Sequence, residues 1–174
     1  KNGGDLLHYN YFSGEGVTGT DEGRPLFTRL PESRMDMSDF MRSCLMSAMS
    51  TLKIGMDILT KTENVRIDRL FGHGGFFRTE GVGQRILSAA VASPVSVMET
   101  AAEGGPYGMA LLGAYMLWKD ENETLEDYLD NKVFKDTVSS EIMADREDID
   151  GFNDYIERYK KAFCLEKKAV EVIF

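Results

Sequence analysis

Apolar residues recur at three- and four-residue steps through Met37, Met41, Leu45, Ala48, Leu52, Met56 and Leu59, which predicts an amphipathic helix over about 37–60 with this stripe against the core. Asp36 stands where an N-cap belongs, with Asp39 three residues on, an acidic variant of the capping box. The methionines read as core packing rather than as an adaptable groove. Residues 1–34 have no helical period: Tyr9, Tyr11 and Phe12 precede Gly14, Gly16, Gly19 and Gly23, a pattern of irregular chain or short strands joined by turns. Such length without structure points to function or to a packing partner outside the chain. Ile67–Phe71 reads as a short strand ending in Gly72-His73-Gly74-Gly75. A helix of about 80–92 follows (Val82, Ile86, Leu87, Ala90), stopped by Pro94. Val95–Met98 alternates as a second strand, Glu99–Gly105 reads as a loop, and Pro106 suits the first position of a helix to about Lys119. Gly108, Ala110, Gly113 and Ala114 make that helix small-sided. The order strand, glycine loop, helix, repeated, specifies a parallel α/β unit. In the acidic last third, Thr124 can cap a short helix through Leu129, and Asp148 or Asp150 a longer one carrying Phe152, Tyr155, Ile156, Tyr159 and Phe163 on one face.

Composition narrows the function classes. With 174 residues, 43% hydrophobic and 28% charged, the chain has the makings of one large domain or two small ones and is not disordered. Twenty Lys+Arg against 29 Asp+Glu leave a net charge of −9, the wrong sign for nucleic acid or an anionic membrane surface as partner. The longest apolar run, Met109–Trp118, falls short of the ~20 residues that span a bilayer. Cys44 and Cys164 form no Cys-x-x-Cys pair and read as reduced thiols of a cytoplasmic protein. The chain opens at Lys1 rather than Met, so an upstream part is expected.

The strand–Gly72-His73-Gly74-Gly75–helix junction is the strongest chemical signal. Glycines there permit positive φ and expose bare backbone to a ligand. The following helix start presents free N–H groups and partial positive charge, which suits phosphate oxygens. A tight strand-to-helix turn also needs glycine for its own sake, so both readings stay open on this feature. A Rossmann dinucleotide site would set Glu99 on a ribose, but its third glycine would fall at Phe77, and Gly72 to Glu99 is longer than the ~20 residues of that pattern. Asp148, Asp150, Gly151 and Glu157 match part of a calcium loop, yet Arg146 takes the first ligand position, so these read as helix-start residues. His8 and His73, with Cys44 and Cys164, show no zinc spacing. His73 can touch a ligand or hold its loop. Asp5, after Gly3-Gly4, reads as a catalytic carboxylate on a turn or as an ordinary loop residue.

Three segments together resemble the C-terminal lobe of the FGGY family of carbohydrate kinases, nearest its xylulokinase-like branch. Tyr11-Phe12-Ser13-Gly14-Glu15 is similar to the family's Pro-Tyr-x-x-Gly-Glu stretch. Leu70-Phe71-Gly72-His73-Gly74-Gly75 with Gln84-Arg85-Ile86-Leu87 is similar to its strand–Gly-Gly-Gly–helix. Pro94-Val95 through Glu99, then Gly108–Leu112, is similar to its Pro-Val…Glu…Ala-Leu-Gly-Ala-Ala. The segments keep the family's order from residue 9 to about 118. Asn10 stands where the family has Pro, His73 replaces the middle glycine, the stretch from Gly75 to Gln84 is longer, and Met46 stands where the family carries a glutamate.

The resemblance implies an α/β fold, a partial actin-like ATPase (ribonuclease-H-like) lobe with parallel strands, flanking helices and a helical C-terminal extension. Residues 1–120 would be the nucleotide-binding lobe without its early strands, and 121–174 an acidic extension packed on it. Carried over, Gly72, His73, Gly74, Gly75 and Thr79 would hold the nucleotide, and Tyr11, Ser13, Gly14 and Glu15 would line the substrate cleft. The implied reaction transfers phosphate from ATP with Mg²⁺ to a sugar such as a pentulose. Only ten residues precede Tyr11, so Asp5 is too close to be the family's general base. That aspartate is expected upstream, as is the first lobe's phosphate loop, and this portion alone is not expected to turn over. A homodimer is compatible with the pattern. Two alternatives remain: a non-catalytic acidic interaction domain displaying Tyr9, Tyr11, Phe12 and Phe27, and an NAD-binding βαβ unit using Glu99.

Overall fold

The computed structural model describes residues 3–100 and 104–173. Its elements run β1 (Leu7–Tyr9), β2 (Leu26–Thr28), α1 (Met37–Asp57), β3 (Leu70–Phe71), α2 (Val82–Val91), β4 (Val95–Met98), α3 (Gly104–Trp118), α4 (Leu125–Tyr128), β5 (Ser139–Ile142) and α5 (Arg146–Val172). The chain divides into two compact units, one of Lys1–Asp68, Ile86–Ser93 and Met143–Phe174, the other of Arg69–Arg85 and Pro94–Ile142.

In the first unit β1 and β2 pair antiparallel from Leu7↔Thr28 to Tyr9↔Leu26, and α1 and α5 pack on β1. Leu6, Tyr9, Met46, Phe152, Tyr155 and Tyr159 are its most buried large side chains. The expected period in α5 is present, but its cap is Asp145, whose carboxylate accepts the Asp148 N–H at 2.8 Å. Asp148 and Asp150, the expected caps, serve instead in ion pairs, with Arg42 of α1 and with Arg146 (3.0 Å) respectively. These pairings also take up two of the carboxylates that matched a calcium loop.

The start of α1 is as expected: Asp36 Oδ1 accepts the Asp39 N–H at 2.8 Å. Its buried face is not. Met37 and Met41 are 75% and 53% exposed, and Leu52 and Leu59 are exposed too, while Asp39, Ser43, Met46, Ser47 and Ser50 are buried. The serines are small enough to let the helix close on β1, and their hydroxyls are satisfied within the contact. Ser43 donates to the Phe40 carbonyl (2.8 Å), Ser47 to His8 O (2.8 Å) and Ser50 to Met46 O (2.9 Å).

Half of the aromatic surface expected for an interaction domain is not on the surface. Tyr9 and Tyr11 are buried: the Tyr9 hydroxyl donates to Tyr159 O at 2.7 Å, and the Tyr159 hydroxyl donates to that of Tyr11 at 2.9 Å. Phe27 packs tilted against His8 with ring centres 4.6 Å apart and stays partly exposed, and Phe12 protrudes, so two of the four rings reach the surface.

The second unit holds a sheet of order β3-β4-β5, in which β3 is parallel and β5 antiparallel to β4. Strand β3 is shorter than the expected 67–71, and β5 was not predicted; Ser139-Ser140-Glu141-Ile142 has no apolar alternation and is fixed by pairing and by Gln84. The Gln84 amide donates to both Val95 O and Ser140 O, at 3.0 Å each. Helix α2 falls within the expected 80–92 and ends where Ala92 turns to φ 53°. Helix α3 starts at Gly104, two residues ahead of Pro106. Of the expected loop 99–105, Glu99 and Thr100 form a turn and 101–103 lie outside the described residues. Thr124 caps α4 as expected, its Oγ1 accepting the Asp127 N–H at 3.1 Å. Among the described residues no helix is long and apolar enough to cross a membrane.

Candidate functional site

Because β3 and β4 are parallel, both chains leave the sheet at the same edge. Leu70 N–H donates to Pro94 O and Gly72 N–H to Ser96 O, each at 2.9 Å, so the ladder runs up to the first glycine of the loop. Ligands of open α/β sheets bind at this carboxyl edge. The glycines there do different work. A Cβ on Gly72 would come within 2.5 Å of the Phe77 ring, which folds back over it. Phe77 thus fills the place where a dinucleotide fingerprint needs its third glycine. Gly74 sits at φ 95°, ψ 178°, a conformation open essentially to glycine alone. No atom lies within 4 Å of a Cβ built on Gly74 or Gly75, so both backbones face open space. A single 3₁₀ turn, Gly75–Phe77, follows.

His73 points from this loop to the start of α3, where a Cβ on Gly104 would lie 2.9 Å from the His73 Cβ. Beside them is a cleft of about 520 Å³, lined by the apolar Phe71, Met98, Leu111 and Phe134 and by His73, Thr100 and Tyr107. Of the expected nucleotide residues, His73 lines this cleft. Gly72, Gly74 and Gly75 form the neighbouring loop, and Thr79 is exposed in the turn before α2, its carbonyl accepting the Val82 N–H at 3.2 Å. Glu99 is exposed at the end of β4. Sequence reasoning missed Tyr107 and Phe134. Tyr107 could have been found as the aromatic in Gly104-Gly105-Pro106-Tyr107, beside the second glycine pair; Phe134 carries no local signal.

The Tyr11–Glu15 segment belongs to the first unit. Tyr11 is fixed inside it, its ring edge-on to Phe163 at 5.7 Å, and burial pushes its phenol up. Ser13 and Gly14 are exposed. A Cβ on Gly14 would meet Asp21 O at 2.4 Å, so the glycine is set by close passage of chain. Glu15 is used within its own turn: its N–H donates to Thr20 O (2.8 Å) and its carboxylate accepts the Val17 N–H (3.1 Å). Asp5, the alternative carboxylate, pairs with Arg158 at 3.0 Å. No group of three or more His, Cys, Asp or Glu among the described residues could hold a metal ion.

The C-terminal domain model of the FGGY family of carbohydrate kinases matches residues 1–117. No curated protein sequence matches the chain. Among solved structures, the chain is similar to ligand-bound xylulose kinase from Lactobacillus acidophilus at 15% identity and TM-score 0.69, over 99% of this chain and 33% of that one. It is similar to gluconate kinase from the same organism at 15% identity and TM-score 0.67, over 94% and 32%. A third likeness is to Plasmodium falciparum glycerol kinase with ADP, at 16% identity and TM-score 0.62, over 90% and 31%. The chain thus spans about a third of the length of each. At these identities the likeness shows the fold, which is α/β and of the actin-like ATPase type.

Proposed function

The chain belongs to the FGGY family of carbohydrate kinases, and from that premise we propose that it is the ATP-binding C-terminal portion of a cytoplasmic kinase acting on a sugar such as a pentulose. The observation that carries this reading is the open backbone of Gly74 and Gly75 at the carboxyl edge of parallel strands, beside a cleft of about 520 Å³. Unhindered N–H groups suit phosphate oxygens. An apolar slot with a few polar side chains suits a nucleobase, with His73 and Tyr107 in its lining, and Thr79, outside that lining, is proposed as a further contact. Residues 1–120 form the nucleotide lobe and 121–174 belong with it; the family match over 1–117 and the packing of α5 on β1 support this. Ser13, Gly14 and Glu15, with Tyr11 fixed beneath them, line the sugar side of the whole kinase.

The overall reaction is ATP plus sugar to ADP plus sugar phosphate. Among the described residues, none lining the cleft is a carboxylate; Mg²⁺, when bound, would come with the nucleotide's phosphates and neutralise their charge. Phosphoryl transfer depends on positioning and charge neutralisation. What this chain contributes is hold on the nucleotide; the aspartate that deprotonates the sugar stands upstream, and the portion alone does not turn over.

Gly75→Asp tests the reading, because a Cβ there has no atom within 4 Å and the carboxylate brings negative charge to the proposed phosphate position. Titrating the ¹⁵N-labelled chain with Mg-ADP is expected to shift the amides of Gly72, Gly74 and Gly75, and Gly75→Asp to weaken binding at least ~10-fold. Unmoved loop amides, together with an unchanged KM for ATP and kcat for Gly75→Asp in the whole kinase, would overturn it.

A further inference from the structure

Helix α5 carries a second stripe beside its buried aromatic one. Arg158, Lys161, Ala162 and Leu165 fall at i, i+3, i+4 and i+7, so they share one face. That face, the start of β1 and the end of β2 border an open pocket of about 300 Å³ within the first unit, with Leu7, Leu30, Ala162 and Leu165 as its apolar lining. We propose that this pocket binds an aliphatic carboxylate, its hydrocarbon chain on the leucines and its carboxylate between Arg29 and Lys161.

The charges of the lining are three cations and one carboxylate. Arg158 pairs with the carboxylate, that of Asp5, at 3.0 Å, and lies over the Tyr155 ring at 6.0 Å. Arg29 and Lys161 make no ion pair among the described residues. Glu157, one turn back from Lys161 at a spacing that suits an ion pair, goes to Lys160 instead, at 3.7 Å. In a chain of net charge −9, two such cations beside one apolar pocket reverse the local sign and favour an anion.

The walls select the rest of the ligand. Leu30 and Leu165 are 54% and 47% exposed, so a ligand that covers them removes apolar surface from water. None of the lining residues is aromatic, unlike those of the cleft beside His73, so the pocket offers no flat face to a nucleobase. A sugar would leave hydroxyls unpaired against the leucines. A saturated chain has no polar group to strand there, and a single terminal charge meets both cations. None of these residues belongs to the proposed nucleotide loop or its cleft, so the pocket takes a ligand other than the kinase's own substrates.

The ¹⁵N-labelled chain is titrated at about pH 7 with sodium hexanoate, octanoate and decanoate below their micelle concentrations, and with 1-octanol as the uncharged probe. Saturable shifts are expected at the amides of Leu7, Leu30, Ala162 and Leu165, with Kd falling about two- to fourfold per added methylene until the pocket is full. Arg29→Gln combined with Lys161→Gln, both at exposed positions, is expected to weaken octanoate binding at least ~3-fold and octanol binding less than ~2-fold. No saturable shift at these amides, a Kd indifferent to chain length, or an equal response of acid and alcohol to the double variant would overturn the proposal. Shifts spread along the apolar helix α3 instead of gathered at the pocket would overturn it too, as surfactant adsorption. The chain-length series on the parent decides even where the double variant does not fold.

Discussion

Glu166 on α5 is fully buried, and its two oxygens are treated unequally. Oε1 accepts the Arg24 N–H at 2.6 Å, tying the loop before β2 to the last helix; Oε2 has no hydrogen-bond partner among the described residues. Burial raises this carboxyl above its ordinary 4.5, against the opposing pull of Arg24. The folded chain therefore holds the proton more tightly than the unfolded chain. The stability this contributes is complete below pH 4.5 and is lost as pH rises through the folded value, at up to ~1.4 kcal/mol per unit. Glu166→Gln keeps an acceptor for Arg24 and does not titrate, so its stability relative to the parent should climb with pH from 4.5 and then level off. Glu166→Ala leaves the Arg24 N–H without its partner (~1–3 kcal/mol) and removes a methylene (~0.8 kcal/mol), a loss of about 2–4 kcal/mol. Urea unfolding followed by far-ultraviolet circular dichroism, from about pH 4 to about pH 8, gives both differences, since groups common to all three chains cancel. A constant Gln-minus-Glu difference across that range would refute the reasoning.

Lysine at Met37 or Met41 should change the stability of this chain by no more than about 0.5 kcal/mol in the same assay, where a core methionine would cost over ~2 kcal/mol. Tyr159→Phe removes the donor to the buried Tyr11 hydroxyl and should cost about 1–1.5 kcal/mol, read as a lower urea midpoint with unchanged m-value.

How far the sequence could be read differs by element. Asp36, Thr124 and the glycine loop were legible because caps and tight turns depend on a few adjacent residues. In α1 the period was legible and the buried side was not. Periodicity finds the apolar stripe, but which stripe is covered depends on what β1 and α5 present, and there Ser43, Ser47 and Ser50 fit closer than leucines would. β5 had no local signature because its pairing with β4 and the Gln84 amide define it. At the candidate site the loop could be read but the cleft could not, since Phe134 joins His73 and Tyr107 only through the fold.

The bond from the Tyr9 hydroxyl to Tyr159 O joins residues 150 apart in a chain of 174. The rings packed on Tyr9 and Tyr11, those of Tyr159 and Phe163, arrive with α5, so during synthesis β1 leaves the ribosome long before that part of its cover exists. Contacts of such separation carry a large loop-closure cost and slow folding. For most of translation this unit is an apolar hairpin and a serine-faced helix awaiting α5, which makes the growing chain, rather than the finished one, the form most in need of a chaperone.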